Sequence, residues 1–408
     1  MLNYRTQQLF TIFFGLLLTA GLWNAILGNT IFIAWKQIIV FISYLYCFSF
    51  VFRNKFLTAI LCSLLVIQIF LIAASILFEV SLKISLFNIF FYGTWLPFFI
   101  WSAAGGGKFY LQRYPNFMIM LILISALGLI IDLKTDYFNL LNIREDIVDN
   151  FYLEKRTVAK RSAFMFTTST LVMPVLGGMI VIALSSYLSL SRILICLFAI
   201  IIAIITTAAV NCALISLFIL IGFSLDHLPK ISKLHASQFL GLIVLVYLIY
   251  LCSFWIIDDE ILQRQFKRML DNQYLDSEAN IGRLDMWNQA LNDIAHFSLQ
   301  EYLIGAGLGS TNGNLENKTL YGHGESSFLQ AYIEAGGFGV LLKLFPFLFG
   351  LWFTIRSIYP HKFLFMSYFI AILISVTVAP IFGNIPSQAV LGFLAGLSYR
   401  FPKSAHSI

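Results

Sequence analysis

The stretch 321–353, YGHGESSFLQAYIEAGGFGVLLKLFPFLFGLWF, changes solvent part-way along. Its first residues are polar and include two titratable side chains, His323 and Glu325. From Gly336 onward it is apolar, apart from Lys343, for about twenty residues, the length that crosses a ~30 Å hydrocarbon core. The stretch therefore reads as a polar loop that delivers titratable groups to the mouth of a membrane span.

The rest of the chain supports that solvent assignment. Of its 408 residues 59% are hydrophobic and only 11% charged, with 41 Phe, whereas soluble domains carry roughly 25% charged residues. Hydropathy predicts a single all-α membrane domain over 1–408 with about 12 spans, near 8–27, 30–51, 56–78, 84–104, 116–131, 164–185, 193–206, 209–225, 238–257, 336–355, 363–379 and 387–400. Residues 193–225 are too long for one crossing and are divided at ITTAAVN. The amino-terminal run after Arg5 has spanning length and no small-x-small cleavage site, so it is expected to be the first span rather than a signal peptide. All five cysteines fall inside apolar runs, which argues against a disulfide framework and against metal-ligand spacing.

Charge orients the bundle. With the amino terminus inside, the cytoplasmic loops hold Arg53 and Lys55, Lys108 and Arg113, Arg192, Lys230 and Lys233, and Arg356 and Lys362. The short outer loops hold almost no cations, as the positive-inside rule requires. All of the Asp and Glu except Glu79, Asp226 and Glu334 lie in 132–163 and 257–326, two outer segments long enough to fold. The second continues as loop to residue 335, so 257–335 is the large extracytoplasmic loop.

In that loop, ILQRQFKRML puts Arg264 and Arg268 one helical turn apart. EANIGRLDMWNQALNDIAHF follows as an amphipathic helix, with Leu284, Trp287, Leu291 and Ile294 on one stripe and Arg283 one turn before Trp287. Such a helix suits either the headgroup region or a lid on the bundle. LIGAGLGSTNGN lacks both the preceding strand and the Gly-Lys-Ser/Thr of a phosphate loop, so it is expected to be a flexible turn. In the first outer segment Lys155, Arg156, Lys160 and Arg161 crowd the mouth of the sixth span. The arginine fork matches phosphate oxygens in pairs, so these cations are expected either to seat an anion or to be solvated charges balanced by Glu154 and Asp149.

The order Arg283, Trp287, Gly305-x-Gly307, His323 or Glu325, Phe328-Leu329 and Glu334-x-Gly336, with Arg161 at an earlier mouth, resembles the O-antigen polymerase and O-antigen ligase superfamily. The resemblance implies a bacterial inner-membrane glycosyltransferase of the metal-independent C type, with its active site on the periplasmic face and no cofactor. Its donor and acceptor would be undecaprenyl-diphosphate-linked oligosaccharides, and a chain-length regulator and a flippase would be its partners. Arg161, Arg156, Arg283, Arg264 and Arg268 would neutralise the diphosphate, and Glu325 or His323 would take the acceptor's proton. Two departures stand out. The short outer turn TTAAVNC has Asn211 where relatives often have arginine, and Glu325-Ser326 stands where ligases have His-Asn. The second departure favours a polymerase over a ligase.

A transporter or a lipid-linked sugar flippase is the reading from another class. Transporters place charges near the bilayer midplane. Lys343 is the clear mid-span ionisable residue, and the sequence shows no acidic partner at matching depth. Nothing in the composition points to nucleic acid.

Overall fold

The computed structural model describes residues 4–20, 22–23, 35–52, 54–135, 166, 171–186, 189–207, 210–231, 278–311, 326–357, 361–378 and 384–399. Among these residues every regular element is a helix. In chain order they are α1 Tyr4–Leu18, α2 Trp35–Val51, α3 Lys55–Leu77, α4 Leu82–Gly93, α5 Trp95–Trp101, a π-turn Ser102–Gly106, α6 Gly107–Arg113 and α7 Pro115–Thr135. Then follow α8 Val172–Ser186, α9 Leu190–Thr207, α10 Val210–Ile231, α11 Glu278–Ala295, α12 Leu299–Ile304, α13 Ser327–Arg356, α14 Lys362–Val378 and α15 Ile385–Tyr399.

Four helices are long and apolar enough to cross a membrane: Lys55–Leu77, Pro115–Asp132, Leu190–Thr207 and Ser327–Arg356. A fifth arises if Leu82–Gly93 and Trp95–Arg113, bent by 43°, count as one broken span. Val172–Ser186, Asn211–His227 and Lys362–Thr377 are apolar but shorter. The chain is thus a helical bundle of membrane character with four to five candidate spans among the described residues, fewer than the twelve expected. Each expected span except 238–257, which lies outside the described residues, overlaps a helix. The division of 193–225 appears as the junction between α9 and α10.

The expected span 84–104 is not straight, and Pro97 supplies the reason. Proline has no N–H for the carbonyl four residues back, so the Gly93 carbonyl instead accepts from the Tyr44 hydroxyl at 2.6 Å. The nearby Phe91 carbonyl accepts from Gln388 Nε2 at 2.6 Å. In lipid an orphaned backbone group costs several kcal/mol, so α2 supplies a donor to the carbonyl that Pro97 releases, and α15 donates beside it.

α8 and α15 form the centre. Side chains from Val172 to Ser185 and from Ile385 to Ser398 are buried all round, as helices apolar on every face should be. α15 approaches α5 through glycine. A Cβ on Gly392 would lie 2.0 Å from the Trp95 carbonyl oxygen, and one on Gly396 would lie 2.3 Å from that of Phe99. Small residues let backbones touch where lipid supplies no hydrophobic drive between helices.

Helix ends that charge asymmetry assigns to one side do meet. The Asp226 carboxylate caps α14 by accepting from the Phe363 and Leu364 N–H groups at 2.9 and 2.8 Å. Arg192 donates to Asn116 Oδ1 at 2.8 Å and to Ser186 Oγ at 2.9 Å. At the opposite end the 305–311 turn rests on the α3–α4 connection: Leu308 N–H donates to Ser75 Oγ at 2.8 Å.

Candidate functional site

α12 opens with a capping box in which Ser298 and Glu301 satisfy each other's backbone donors. It closes at Gly305, whose φ of 73° suits glycine. The turn that follows holds two more positive φ values, 105° at Gly307 and 90° at Gly309. It was expected to be flexible, yet it is fastened at both of its faces. Ala306 N–H donates to the Ile333 carbonyl at 2.7 Å, and Gly307 N–H donates to that of Glu334 at 3.1 Å.

Those two carbonyls are available because α13 breaks at Gly336, where φ is 57° and ψ −151°. Past a break their usual helical donors, four residues on, no longer reach them. The two segments approach backbone to backbone. A Cβ on Gly305 would sit 2.3 Å from Ala335 N, and one on Gly336 would sit 2.3 Å from the Leu303 carbonyl carbon. The Gly-x-Gly and Glu-x-Gly elements therefore interlock.

The break also folds α13 back on itself. Lys343 Nζ donates to the Ser327 carbonyl at 3.2 Å across 16 residues, whereas a straight helix would set them about 24 Å apart. A Cβ on Gly339 would lie 2.6 Å from the Ala331 carbonyl oxygen, so the halves 327–335 and 337–356 cross at Gly339. The expected span 336–355 begins at this break.

Between the halves lies a buried polar knot. The Glu334 carboxylate, 2% exposed, accepts from the Tyr92 hydroxyl at 2.8 Å, from Gln330 Nε2 at 3.2 Å and from the Thr311 hydroxyl. Gln330 also donates to Thr311 Oγ1 at 3.4 Å. Lys343 is 1% exposed and stands over the Tyr92 ring, 4.7 Å from its centroid. One phenol thus meets an acid at its hydroxyl and an ammonium at its face, a cation–π contact that strengthens when desolvated. Lys343 accordingly has an acidic neighbour in this knot, contrary to the expectation from sequence.

The amphipathic helix expected in the large loop is α11. Its buried face is Ala290, with Ile294 packed beside Phe297, Ala306, Ile333 and Leu329. Leu291, expected on the inner stripe, is 52% exposed. The helix packs against 327–335 through Ala290 and Ile294, so Ile294 of the expected stripe lies on the packed face and Leu291 does not.

Of the expected site residues, Glu325, His323, Arg161, Arg156, Arg264 and Arg268 lie outside the described residues. Arg283 falls within α11, where its backbone alone is described. The structure instead brings together Gly305, Gly307, Glu334 and Gly336 of the sequence motif and adds Tyr92, Thr311, Gln330 and Lys343. The sequence signals that point to this set are the Gln330–Glu334 spacing, four apart on one helix face, and Lys343 within an apolar run. Among the described residues no group of three or more His, Cys, Asp or Glu is arranged to hold a metal ion. No protein-family model, curated protein or solved structure matches the chain.

Proposed function

We propose that this chain polymerises surface polysaccharide. It would transfer a growing glycan from undecaprenyl diphosphate to a sugar hydroxyl of the next lipid-linked repeat unit, on the periplasmic face of the bacterial inner membrane. The observation that carries this reading is the interlock of 305–307 with 333–336. Elements of the polymerase-like motif that are separate in sequence pack against each other at the helix ends assigned to the outer side.

The chemistry follows from the residue types. The acceptor oxygen attacks the anomeric carbon, the bond from that carbon to the diphosphate oxygen breaks, and the hydroxyl proton passes to Glu325 or His323. General-base assistance of this kind typically contributes 10²–10⁴-fold. Undecaprenyl diphosphate leaves with the electron pair. Arg161 and Arg156, with Arg283, Arg264 and Arg268, would neutralise the charge that develops on it, and such fixed cations act strongly where water is scarce. An O-antigen ligase, which would pass the same glycan to lipid A-core, is the nearest alternative.

A transport or flippase reading has one observation in its favour. Lys343 and Glu334 meet at Tyr92 inside the bundle, and buried charges of this kind mark ion or substrate paths in transporters. Deletion of the gene separates the three. Loss of a polymerase leaves lipid core capped by one repeat unit. Loss of a ligase leaves uncapped core with accumulated lipid-linked polymer, and loss of a flippase leaves uncapped core without it. We expect the single-repeat phenotype, reproduced by Glu325→Gln and at least partly by His323→Ala. Either uncapped phenotype would reject the polymerase.

A further inference from the structure

We infer that α12, a helix on which no side chain is buried, lays its apolar face in the outer leaflet, at the boundary between headgroups and acyl chains. Its sequence LQEYLI puts Leu299, Tyr302 and Leu303 at the i, i+3 and i+4 positions of one helical stripe, with Gln300 to the side and Glu301 behind. Leu299 is 78% and Leu303 55% exposed, and Tyr302 is exposed beside them. This placement requires only the membrane character of the bundle, not the polymerase chemistry.

What covers the stripe follows from its height on the bundle. The half of α13 beyond the break turns Leu341, Leu348, Trp352 and Ile355 outward, each about half exposed, a helical stripe that faces lipid. The inner edge of the hydrocarbon is marked by Arg356, whose guanidinium lies 3.7 Å from the Trp352 ring centroid, since aromatic rings and cations gather at the cytoplasmic boundary. Gly337 stands about 28 Å further along the same helix, close to the ~30 Å thickness of the core, so the outer boundary falls there. That is where α12 is fastened. A Cβ on Gly336 would lie 2.3 Å from the Leu303 carbonyl carbon, and one on Gly337 would lie 3.8 Å from the Tyr302 carbonyl oxygen. The Tyr302 and Tyr332 rings meet edge-on at 6.4 Å beside this junction, and tyrosine concentrates at membrane–water interfaces. The bare leucines of α12 therefore sit at the rim of the lipid-facing span, and the leaflet covers them. Residues 287–311 contain no Lys or Arg, so apolar burial rather than attraction to anionic headgroups holds the helix down. Through it the 305–311 turn is kept at the level of the headgroups.

The test uses the full-length protein in phosphatidylcholine nanodiscs, where both faces of the bilayer are open to solution. Leu299→Cys and, as a control beside the stripe, Gln300→Cys each receive an environment-sensitive nitrobenzoxadiazole label, and the signal of the chain labelled without either substitution is subtracted. Both side chains are exposed, so neither label disturbs the packing. At 299, lipid carrying a nitroxide near the headgroup should quench roughly twofold more than lipid carrying it near the bilayer centre, as expected for a helix lying in the interface. Aqueous iodide should quench at 299 less than about half as strongly as at 300. Replacing part of the phosphatidylcholine by phosphatidylglycerol should change neither ratio. Adding Leu303→Asp to the chain labelled at 299 should raise iodide quenching roughly twofold. Equal iodide quenching at the two sites without a nitroxide effect would mean that the stripe faces water, and overturns the inference. Shielding of 299 from both quenchers overturns it as well, because a second copy of the chain would then cover the stripe. A requirement for phosphatidylglycerol would overturn the apolar basis of the contact.

Discussion

Two clusters near opposite ends of this bundle are packed by opposite chemistry. At the end assigned to the cytoplasm, Phe14 touches Phe393 at 4.9 Å between ring centroids, with Phe98, Tyr110 and Trp101 at 5.8, 5.8 and 6.0 Å. Phe10 stacks on Trp101 at 5.4 Å. Trp101 Nε1 and the Tyr110 hydroxyl make no hydrogen bond among the described residues. The cluster at the end assigned to the outside is held by donors, with Glu334, Tyr92, Thr311, Gln330 and Lys343 in one connected set. The ring cluster around Trp101 tolerates orphaned donors, while the polar contacts of that end are made apart from it, by Arg192 and Asp226. The outer end buries charge, which in a membrane protein usually marks function. The ring cluster and the polar knot thus lie apart along one molecule.

Removing the largest ring should break the aromatic end while sparing the chemistry. Trp101→Ala leaves a cavity among Phe10, Phe14, Tyr110 and Phe393 and should cost about 3–5 kcal/mol. A lower thermal midpoint of the purified protein, with polymer made per folded molecule unchanged, is the expected result. A large loss per folded molecule would mean that the two ends are coupled.

At the outer end the corresponding lesion is a methyl group. Gly336→Ala must hold a φ of 57° and place a Cβ 2.3 Å from the Leu303 carbonyl carbon. The backbone conformation alone costs about 1–3 kcal/mol, and displacement of the neighbouring backbone adds to it. We expect a smaller fall in thermal midpoint than for Trp101→Ala, accompanied by loss of the polysaccharide ladder. An intact ladder at normal protein levels would show that the interlock is dispensable.

The same contrast explains what the sequence made legible. Apolar runs located nearly every helix, because hydropathy is a local property. The start of the span at Gly336 was visible too, since a polar loop gives way to apolar sequence there. The bend at Thr94 was not anticipated, although Pro97 within the predicted 84–104 span was its sign. The knot was hidden for a different reason. Tyr92 and Glu334 are separated by 242 positions, and nothing local to a tyrosine in an apolar helix announces its partner. Lys343 has no acidic residue within its own apolar run, and only the fold-back at Gly336 brings Glu334 beside it. The interlock of the two glycine motifs was present only as an order of residues, and geometry gave it contact.

The smallest expected effect distinguishes a network from a collection of bonds. Thr311→Val keeps the shape and removes one hydroxyl whose acceptor is a carboxylate, so it should lower stability by about 1.5–3 kcal/mol. Tyr92→Phe, which removes a hydroxyl from the same carboxylate, should cost a similar amount. Both hydroxyls donate to Glu334, and when one is lost the carboxylate's remaining donors can close on it. The double variant should therefore depart from the sum of the singles by at least about 0.5 kcal/mol, as residues in one hydrogen-bond network do. Thr311→Val combined with Trp101→Phe, which shares no partner with it, should add within roughly 0.3–0.5 kcal/mol. Thermal or denaturant unfolding of the purified variants measures both cycles. If the first pair adds as simply as the second, Glu334 merely collects independent bonds. If the second pair also couples, the two ends answer to one another through the central helices, and the ring cluster and the polar knot are not independent.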